Sequence, residues 1–404
     1  MAVEYDLIIV GGGAAGYFTA VNSPDHFKTV ILEKNREPLQ KVKVSGGGRC
    51  NVTNFCFEPE LLVKNYPRGE DFLYKPFSNF GPAELIRWFE KRGVRIKNEA
   101  DGRMFPVTDN SQTIIDCFRI EAKKKDIELR TTTRLQSFER EQNKWKVILD
   151  SGEELMTRFL VLTTGSDKSV WNKLQSLGLR IIDPVPSLFT FNIPDNQLHQ
   201  LSGVSFQKIT VSAGNKQMSG PGLITHWGMS GPAVLKLSAW NAIEFAKNEY
   251  HFSARIDWIP DLTQSQVTSV LRDMQQTESR KKVLNVAPFN LSKRFWEYIC
   301  HKAEIREFQN WSETGKKHFQ KLTDTLKNSQ FDVTGKSTFK DEFVTAGGID
   351  LDEVDYETFQ IKKFPGLYAA GEILNIDAVT GGFNFQAAWT SAWHISEDLK
   401  RGLI

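Results

Sequence analysis

The run Leu7-Ile8-Ile9-Val10, followed at once by Gly11-Gly12-Gly13-Ala14-Ala15-Gly16, constrains the fold of this chain more than any other feature. Four apolar, mostly β-branched residues read as a strand buried on both faces. The next six match G-x-G-x-x-G, and Ala14 to Ala20 reads as the start of a helix. A second strand follows at Thr29-Val30-Ile31-Leu32, closing a βαβ unit of about 30 residues. In that setting each glycine has its own reason. Gly11 permits the tight turn, Gly13 lets a pyrophosphate approach the backbone, and Gly16 lets the helix pack on the strand. The free amides of Ala14 and Ala15 and the positive end of the helix dipole suit phosphate. Glu33, at the end of the second strand, is placed to accept hydrogen bonds from both hydroxyls of a ribose and to repel a 2′-phosphate.

A short dinucleotide needs only this unit, whereas a longer one needs a second grip elsewhere. That grip is expected at Ala369-Ala370-Gly371-Glu372, where Gly371 lets backbone near a phosphate and Glu372 takes a ribityl or ribose hydroxyl. Gly381-Gly382-Phe383-Asn384-Phe385-Gln386 then opens a last helix expected over Asn384–Leu399. Its N-terminal amides suit the pyrimidine of a flavin, where reduction builds negative charge. Thr163-Thr164-Gly165 closes another strand and is expected to touch the cofactor again. The pattern points to FAD, held without a covalent bond. A second G-x-G-x-x-G is absent, so a nicotinamide donor, NAD(P)H, would bind only transiently in the open flavin cleft.

At 404 residues the chain has room for two or three domains. Lys and Arg number 51 against 49 Asp and Glu, a net charge of +2 that gives no support to a nucleic-acid binder. No run of about 18 apolar residues suggests a membrane span. With no signal-like leader either, a cytoplasmic protein is expected. Cys50, Cys56, Cys117 and Cys300 are too few for a disulfide scaffold, and no CxxC or HExxH suggests a metal. Helices are expected at Ala83–Lys91 and Ser111–Lys124, and strands at Val94–Lys97, Ile127–Arg130, Lys144–Leu149 and Phe159–Leu162. From about 188 to 257 short alternating segments with Gly and Pro breaks read as a β-rich insert. From 261 to 327 the pattern turns helical, with 12 basic against 8 acidic residues, a balance that suits a solvated face. The expected boundaries are 1–187 with 342–404 for the cofactor domain, 188–259 with 328–341 for the β-rich insert, and 260–327 for a helical subdomain.

Four motifs resemble the BaiN/YhiN-like family of FAD-dependent oxidoreductases. They are the fingerprint with Glu33-Lys34-Asn35; Lys43-Val44-Ser45-Gly46-Gly47-Gly48-Arg49-Cys50-Asn51-Val52-Thr53-Asn54; Thr225-His226-Trp227-Gly228-Met229-Ser230-Gly231-Pro232; and Thr345-Ala346-Gly347-Gly348 through Glu372 to Gln386. The resemblance implies an α/β, two-dinucleotide-type FAD domain of Rossmann-like build, carrying a β-barrel-like insert and a small helical part. It implies flavin-dependent reduction of enone-type bonds in steroid-like substrates. It also lays the loop of Ser45, Gly46, Gly47, Arg49, Cys50 and Asn51 along the pyrophosphate and flavin, with the glycines as an anion nest and Arg49 as a fixed cation. Lys34, Leu135, Thr164, Gly165, Gly382, Asn384, Phe385 and Gln386 join the expected cofactor contacts. One departure stands out: Gly165-Ser166-Asp167-Lys168 lacks the family's further glycines.

By the same resemblance His226 reaches the active site, where an imidazole could protonate substrate during hydride transfer. A structural histidine is the alternative. Gly228-Met229-Ser230-Gly231-Pro232 is not a nucleophile elbow, because Pro232 takes the place of the last glycine. Three readings as an enzyme remain open at this point, beside a flavin-binding structural protein with no turnover. The favoured one is hydride transfer through flavin N5 to or from a small apolar or amphipathic substrate. The others are an oxygen-using, amine-oxidase-like flavoprotein and a disulfide-type reductase using Cys50 and Cys56. A nucleic-acid-modifying flavoprotein using the basic insert is disfavoured by charge balance, and the oligomeric state is open.

Overall fold

A computed structural model describes residues 3–337 and 344–402. The chain divides into two compact units, Met1–Val185 with Lys340–Ile404, and Pro186–Phe339. The return boundary expected at 341–342 lies outside the described residues.

The first unit is built on a seven-stranded sheet. In order across the sheet run Glu128–Arg130, Thr29–Leu32, Val3–Val10, Glu154–Leu162, Lys144–Leu149 and Leu135–Glu141. The first four are parallel, with Leu7 opposite Thr29 on one side and Phe159 on the other. Leu7, Ile8, Ile9 and Val10 are all buried, as a central parallel strand requires. The strand Glu154–Leu162 divides its partners. Its first half pairs antiparallel with Lys144–Leu149, and Leu160–Leu162 pair parallel with Leu367–Ala369. That strand was expected to begin at Phe159; a hairpin turning at Ser151-Gly152 extends it back to Glu154.

The helix Ala14–Asn22 is buried along nearly its whole length, Ala15 to Val21. A helix apolar on every side belongs between layers, and the last helix, Phe383–Arg401, packs directly against it. Aromatic rings fill the seam: Phe18 lies 5.5 Å from Trp389 and 4.7 Å from Trp88, and Phe118 stacks on Trp389 at 5.5 Å. Truncating a buried Trp of this kind costs about 3–5 kcal/mol. The expected helices form as Pro82–Glu90 and Gln112–Lys124. The strand expected at Val94–Lys97 forms instead as Ile96–Asn98, in a small sheet with Arg103–Pro106 and Thr53–Asn54.

The second unit is a closed antiparallel barrel of Thr190–Asn192, Gly228–Ser230, Lys216–Thr225, Ser205–Ala213, His251–Asp257 and Ser329–Ser337. Helices Gln264–Thr277, Lys293–Lys302 and Lys316–Lys327 share its core. Trp258 and Phe331 of the barrel region join Leu271, Phe295, Trp296 and Leu322 in one apolar cluster. The insert thus reads as barrel and helices around a common interior.

Candidate cofactor site

Thr163 locks the fingerprint turn. Its N–H donates to Val10 O at 2.8 Å, and its hydroxyl donates to Gly11 O at 2.8 Å. A Cβ on Gly11 would stand 2.4 Å from Thr163 O, and one on Gly16 would stand 2.0 Å from Gly11 O, so neither position admits a side chain. Gly13 differs in kind: a Cβ there would meet nothing within 4 Å. It caps the Ala14–Asn22 helix without any side-chain hydrogen bond. The first-turn amides, with Ala14 and Ala15 among them, therefore border open space at the positive end of the helix.

Glu33 is buried beneath this turn. Its Oε2 accepts from Gly12 N–H at 2.8 Å, and Oε1 accepts from the Asn35 N–H at 2.8 Å and Nδ2 at 2.7 Å. A carboxylate offers about four acceptor positions, and three are taken. Glu33 is therefore a fastener of the loop, with one acceptor position left where two ribose hydroxyls were expected. Asn35, two residues on, was the overlooked partner. Lys34 turns aside to Asp167, 2.7 Å away. Leu135 opens its strand half-buried, two residues beyond Thr133, whose N–H donates to Glu33 O at 2.9 Å.

The triple-glycine loop is exposed at Gly46 and Gly47 but forms a defined turn. It ends a helical segment, Gln40–Gly48, that breaks at Ser45 (ψ 148°) and turns left-handed at Gly46 and Gly47. Gly48 and Cys50 also have positive φ, 82° and 61°. Ser45 stays inside the turn, its hydroxyl donating to Val42 O at 3.0 Å and its carbonyl accepting from Cys50 N–H at 3.0 Å. A Cβ on Gly47 or Gly48 would meet nothing within 4 Å, whereas one on Gly46 would strike the Phe105 ring at 2.8 Å.

Residues 51–54 are stitched to the start of the last helix. Thr53 Oγ1 donates to Gln386 Oε1 at 2.6 Å, Asn54 Nδ2 to Gly381 O at 3.0 Å, and Trp389 Nε1 to Val52 O at 3.0 Å. Asn51 Oδ1 accepts from Met104 N–H at 3.2 Å, and a Cβ on Gly382 would lie 2.9 Å from that oxygen.

Several expected cofactor side chains are occupied elsewhere. Arg49 does not stand as an unengaged cation: it pairs with Glu99 at 2.6 Å and lies over the Phe105 ring at 3.9 Å. Asn384 closes on Ala378, accepting from its N–H at 2.9 Å and donating to its carbonyl at 3.1 Å. Gln386 is buried between Thr53 and Thr390, and Phe385 stacks on Trp389 at 5.6 Å. What this segment offers a ligand is backbone. Gly371 is needed for packing, since its Cβ would sit 3.3 Å from that of Ala15 and 3.6 Å from that of Ala388. Glu372 accepts from Thr345 N–H at 3.0 Å and pairs with Lys41, a partner sequence reading missed. Gly165 turns left-handed beside Glu372, and Thr164 Oγ1 is buried with no hydrogen-bond partner among the described residues.

The cysteines are free thiols. Cys50 is fully buried, and loss of solvation pushes its thiol up to about 12. A thiol held neutral is a poor nucleophile, so burial of Cys50 weighs against the Cys50–Cys56 disulfide reading. In the second unit His226 is exposed, with its ring 4.2 Å from that of Trp227. The Trp227 indole donates to Thr190 Oγ1 at 3.0 Å. Among the described residues no His, Cys, Asp or Glu group has the makings of a metal site, and no helix is long and apolar enough to cross a membrane.

The residues fit FAD. Gly13, Gly47 and Gly48 border open space, Glu33 keeps an acceptor, and the Thr164 hydroxyl is buried and unpartnered among the described residues. Comparison with known proteins agrees. Residues 5–398 match the model of the HI0933-like protein Rossmann domain. The chain is 27% identical over 409 residues to a ribosomal RNA dihydrouridine synthase of Escherichia coli, covering 98% of each. It is 25% identical to a 3-dehydro-bile acid delta(4,6)-reductase of Clostridium scindens, over 95% of this chain and 96% of that one. Among solved structures, a 3-ketosteroid-delta4-(5alpha)-dehydrogenase of Rhodococcus jostii superposes with a TM-score of 0.54 at 12% identity, covering 98% and 97% of the two chains. That last likeness is one of fold.

Proposed function

The chain belongs to the HI0933-like family and is an FAD-dependent oxidoreductase; we propose that it reduces a carbon–carbon double bond conjugated to a carbonyl. The observation that carries this is chemical. A dihydrouridine synthase and a delta(4,6)-reductase of a 3-dehydro bile acid, both similar to this chain end to end, have names describing saturation of such a bond. The uracil ring and the steroid enone share it, and the oxidase reading has no comparable support.

When bound, FAD supplies hydride exchange at its N5. This chain's residues do the rest. The amides after Gly13 and the open turn at Gly47 and Gly48 would hold the pyrophosphate. Glu33 and the Thr164 hydroxyl would hold sugar hydroxyls. The N-terminus of the helix Phe383–Arg401 would meet the charge that reduction places on the pyrimidine. For the substrate, β-carbon hydride delivery must be matched by a proton at the α-carbon. We assign that proton to His226, an exposed imidazole of the second unit, because an imidazole can serve as a general acid.

The test is anaerobic. Protein bleached with NADH or NADPH is mixed with a 3-oxo-Δ4 steroid, with a uridine-containing ribosomal RNA fragment, or with air. Fast reoxidation by either enone source supports the reading and identifies the substrate class. Fast reoxidation by air alone, with neither enone saturated, refutes it. His226→Ala should slow enone turnover by about 10²–10⁴-fold and leave flavin reduction by the donor intact. Unchanged turnover removes His226 from the mechanism.

A further inference from the structure

The segment Gly165-Ser166-Asp167-Lys168, which departs from the motif by lacking further glycines, supplies a side chain that reaches back over the sheet. Asp167 Oδ2 pairs with Lys34 Nζ at 2.7 Å. The two residues leave the sheet from different strands. Val10, the last residue of the central strand, stands in register with Leu32 on one side and Leu162 on the other. Lys34 follows shortly after Leu32, and Asp167 shortly after Leu162. The ion pair therefore joins the two neighbours of the central strand across its exit, where Gly11, Gly12 and Gly13 turn into the helix Ala14–Asn22. Strands on either side of a third lie about 9.5 Å apart, so the pair spans the width of that turn.

The carboxyl ends of parallel strands are where such sheets take their ligands. The groups beside the ion pair fit that use. Glu33, next to Lys34, keeps one acceptor position. Thr164, on the Asp167 side, has a buried hydroxyl with no hydrogen-bond partner among the described residues. The two halves of the pair differ in stiffness. Asp167 caps the helix Lys168–Ser176, its Oδ1 accepting from the Ser169 N–H at 3.0 Å and from the Ser169 hydroxyl at 2.6 Å. That helix is anchored in turn, because the buried Trp171 indole donates to Ile373 O at 2.9 Å. One oxygen of Asp167 thus serves the fold and the other serves Lys34. The Asp167 side chain is 10% exposed and that of Lys34 is 44% exposed. The carboxylate is the fixed half, and the long lysine is the half that can swing. An ion pair so open to water adds little to fold stability. Its position gives it a different effect, on passage through the mouth it crosses.

We propose that Lys34 and Asp167 form a clasp over the adenosine end of the cofactor site, positioning residues that set how fast FAD enters and leaves. This rests on the placement of the adenosine half at Glu33 and Thr164. A clasp differs in sign from a local field. FAD carries a negative pyrophosphate, so if the two residues acted through charge alone, loss of Lys34 would speed its release and loss of Asp167 would slow it. A clasp opened from either side releases FAD faster.

The experiment loads the protein with radiolabelled FAD, dilutes it into excess unlabelled FAD, and follows the retained label with time. It compares wild type, Lys34→Met, Asp167→Ser, Lys34→Arg and the double variant Lys34→Met/Asp167→Ser. Serine is chosen because it still caps a helix but is too short to meet Lys34. Release should quicken by about 2- to 5-fold in both single variants, the range an ion pair of this exposure supports. The double variant should release FAD no faster than either single one, since both remove the same contact. Lys34→Arg should stay near wild type. Opposite shifts in the two single variants, additive shifts in the double, or a lowered apoprotein melting temperature with unchanged release each overturn the clasp. Wild-type FAD affinity in Glu33→Gln would instead move the adenosine half and sink the placement on which the clasp rests.

Discussion

Replacing Glu33 by Gln tests whether this residue is a ligand, a fastener, or both. The substitution keeps shape and removes charge. Three N–H donors now meet the carboxylate, two from Asn35 and one from Gly12. If the amide oxygen of Gln turns to Asn35, those two bonds fall from the charged class, about 1.5–3 kcal/mol, to the neutral class of about 0.5–1.5 kcal/mol. That costs about 1 kcal/mol each. The Gly12 N–H then faces an NH₂ group, and an orphaned buried donor costs about 1–3 kcal/mol. The apoprotein should lose about 3–5 kcal/mol, and at roughly 2–4 °C per kcal/mol its melting point should fall clearly. FAD affinity should fall further, by about 10- to 150-fold, for the charged acceptor withdrawn from the ribose. Differential scanning fluorimetry of the apoprotein and FAD fluorescence titration separate the two losses. An apoprotein that melts as wild type refutes the fastener role. A lowered melting point with unchanged FAD affinity refutes the ligand role.

Two further substitutions probe the same turn in opposite ways. Gly16→Ala puts a methyl 2.0 Å from Gly11 O and should destabilise the apoprotein and abolish FAD uptake together. Gly13→Ala adds a methyl into empty space, so the apoprotein should melt within about 0.5 kcal/mol of wild type while FAD binding is lost; normal FAD binding there would move the pyrophosphate elsewhere. For Cys50, burial of the thiol predicts slow alkylation at pH 8 in the native protein, and Cys50→Ser should leave donor-driven flavin reduction intact. A gain of two reactive thiols on flavin reduction would restore the disulfide mechanism.

What could be read from sequence was what is local. The strand, fingerprint and Glu33 lie within 31 residues, Val3 to Glu33, and their spacing carries their geometry. The barrel insert was legible as alternation and breaks, and its barrel form came from the family motifs. The parts that escaped are pairings between distant segments. Thr53 meets Gln386 across 333 positions and Arg68 meets Asp377 across 309, and no periodicity announces either. Gly371 has a constraint the motif did not announce. Its φ is 75° and a Cβ would stand 3.3 Å from that of Ala15, so backbone conformation and helix packing both favour glycine. The partners of Arg49 and Asn384 were equally out of reach of the sequence: Glu99 lies 50 positions from Arg49, and Asn384 closes back on the backbone of Ala378.

The position of the insert has a consequence for synthesis. The first unit is left at Val185 and resumed only at Lys340. When the barrel strands and their helices have been made, the parent sheet still lacks Leu367–Ala369, and the Ala14–Asn22 helix still lacks its cover, Phe383–Arg401. A chain growing from its N-terminus can therefore finish the insert while the fingerprint turn waits, with Phe18, Trp88 and Phe118 uncovered until Trp389 arrives. The proposed grip on the cofactor would be completed by the last turns of chain to be made. A nascent protein stalled before residue 383 would carry a folded barrel and a nucleotide turn with nothing to close it.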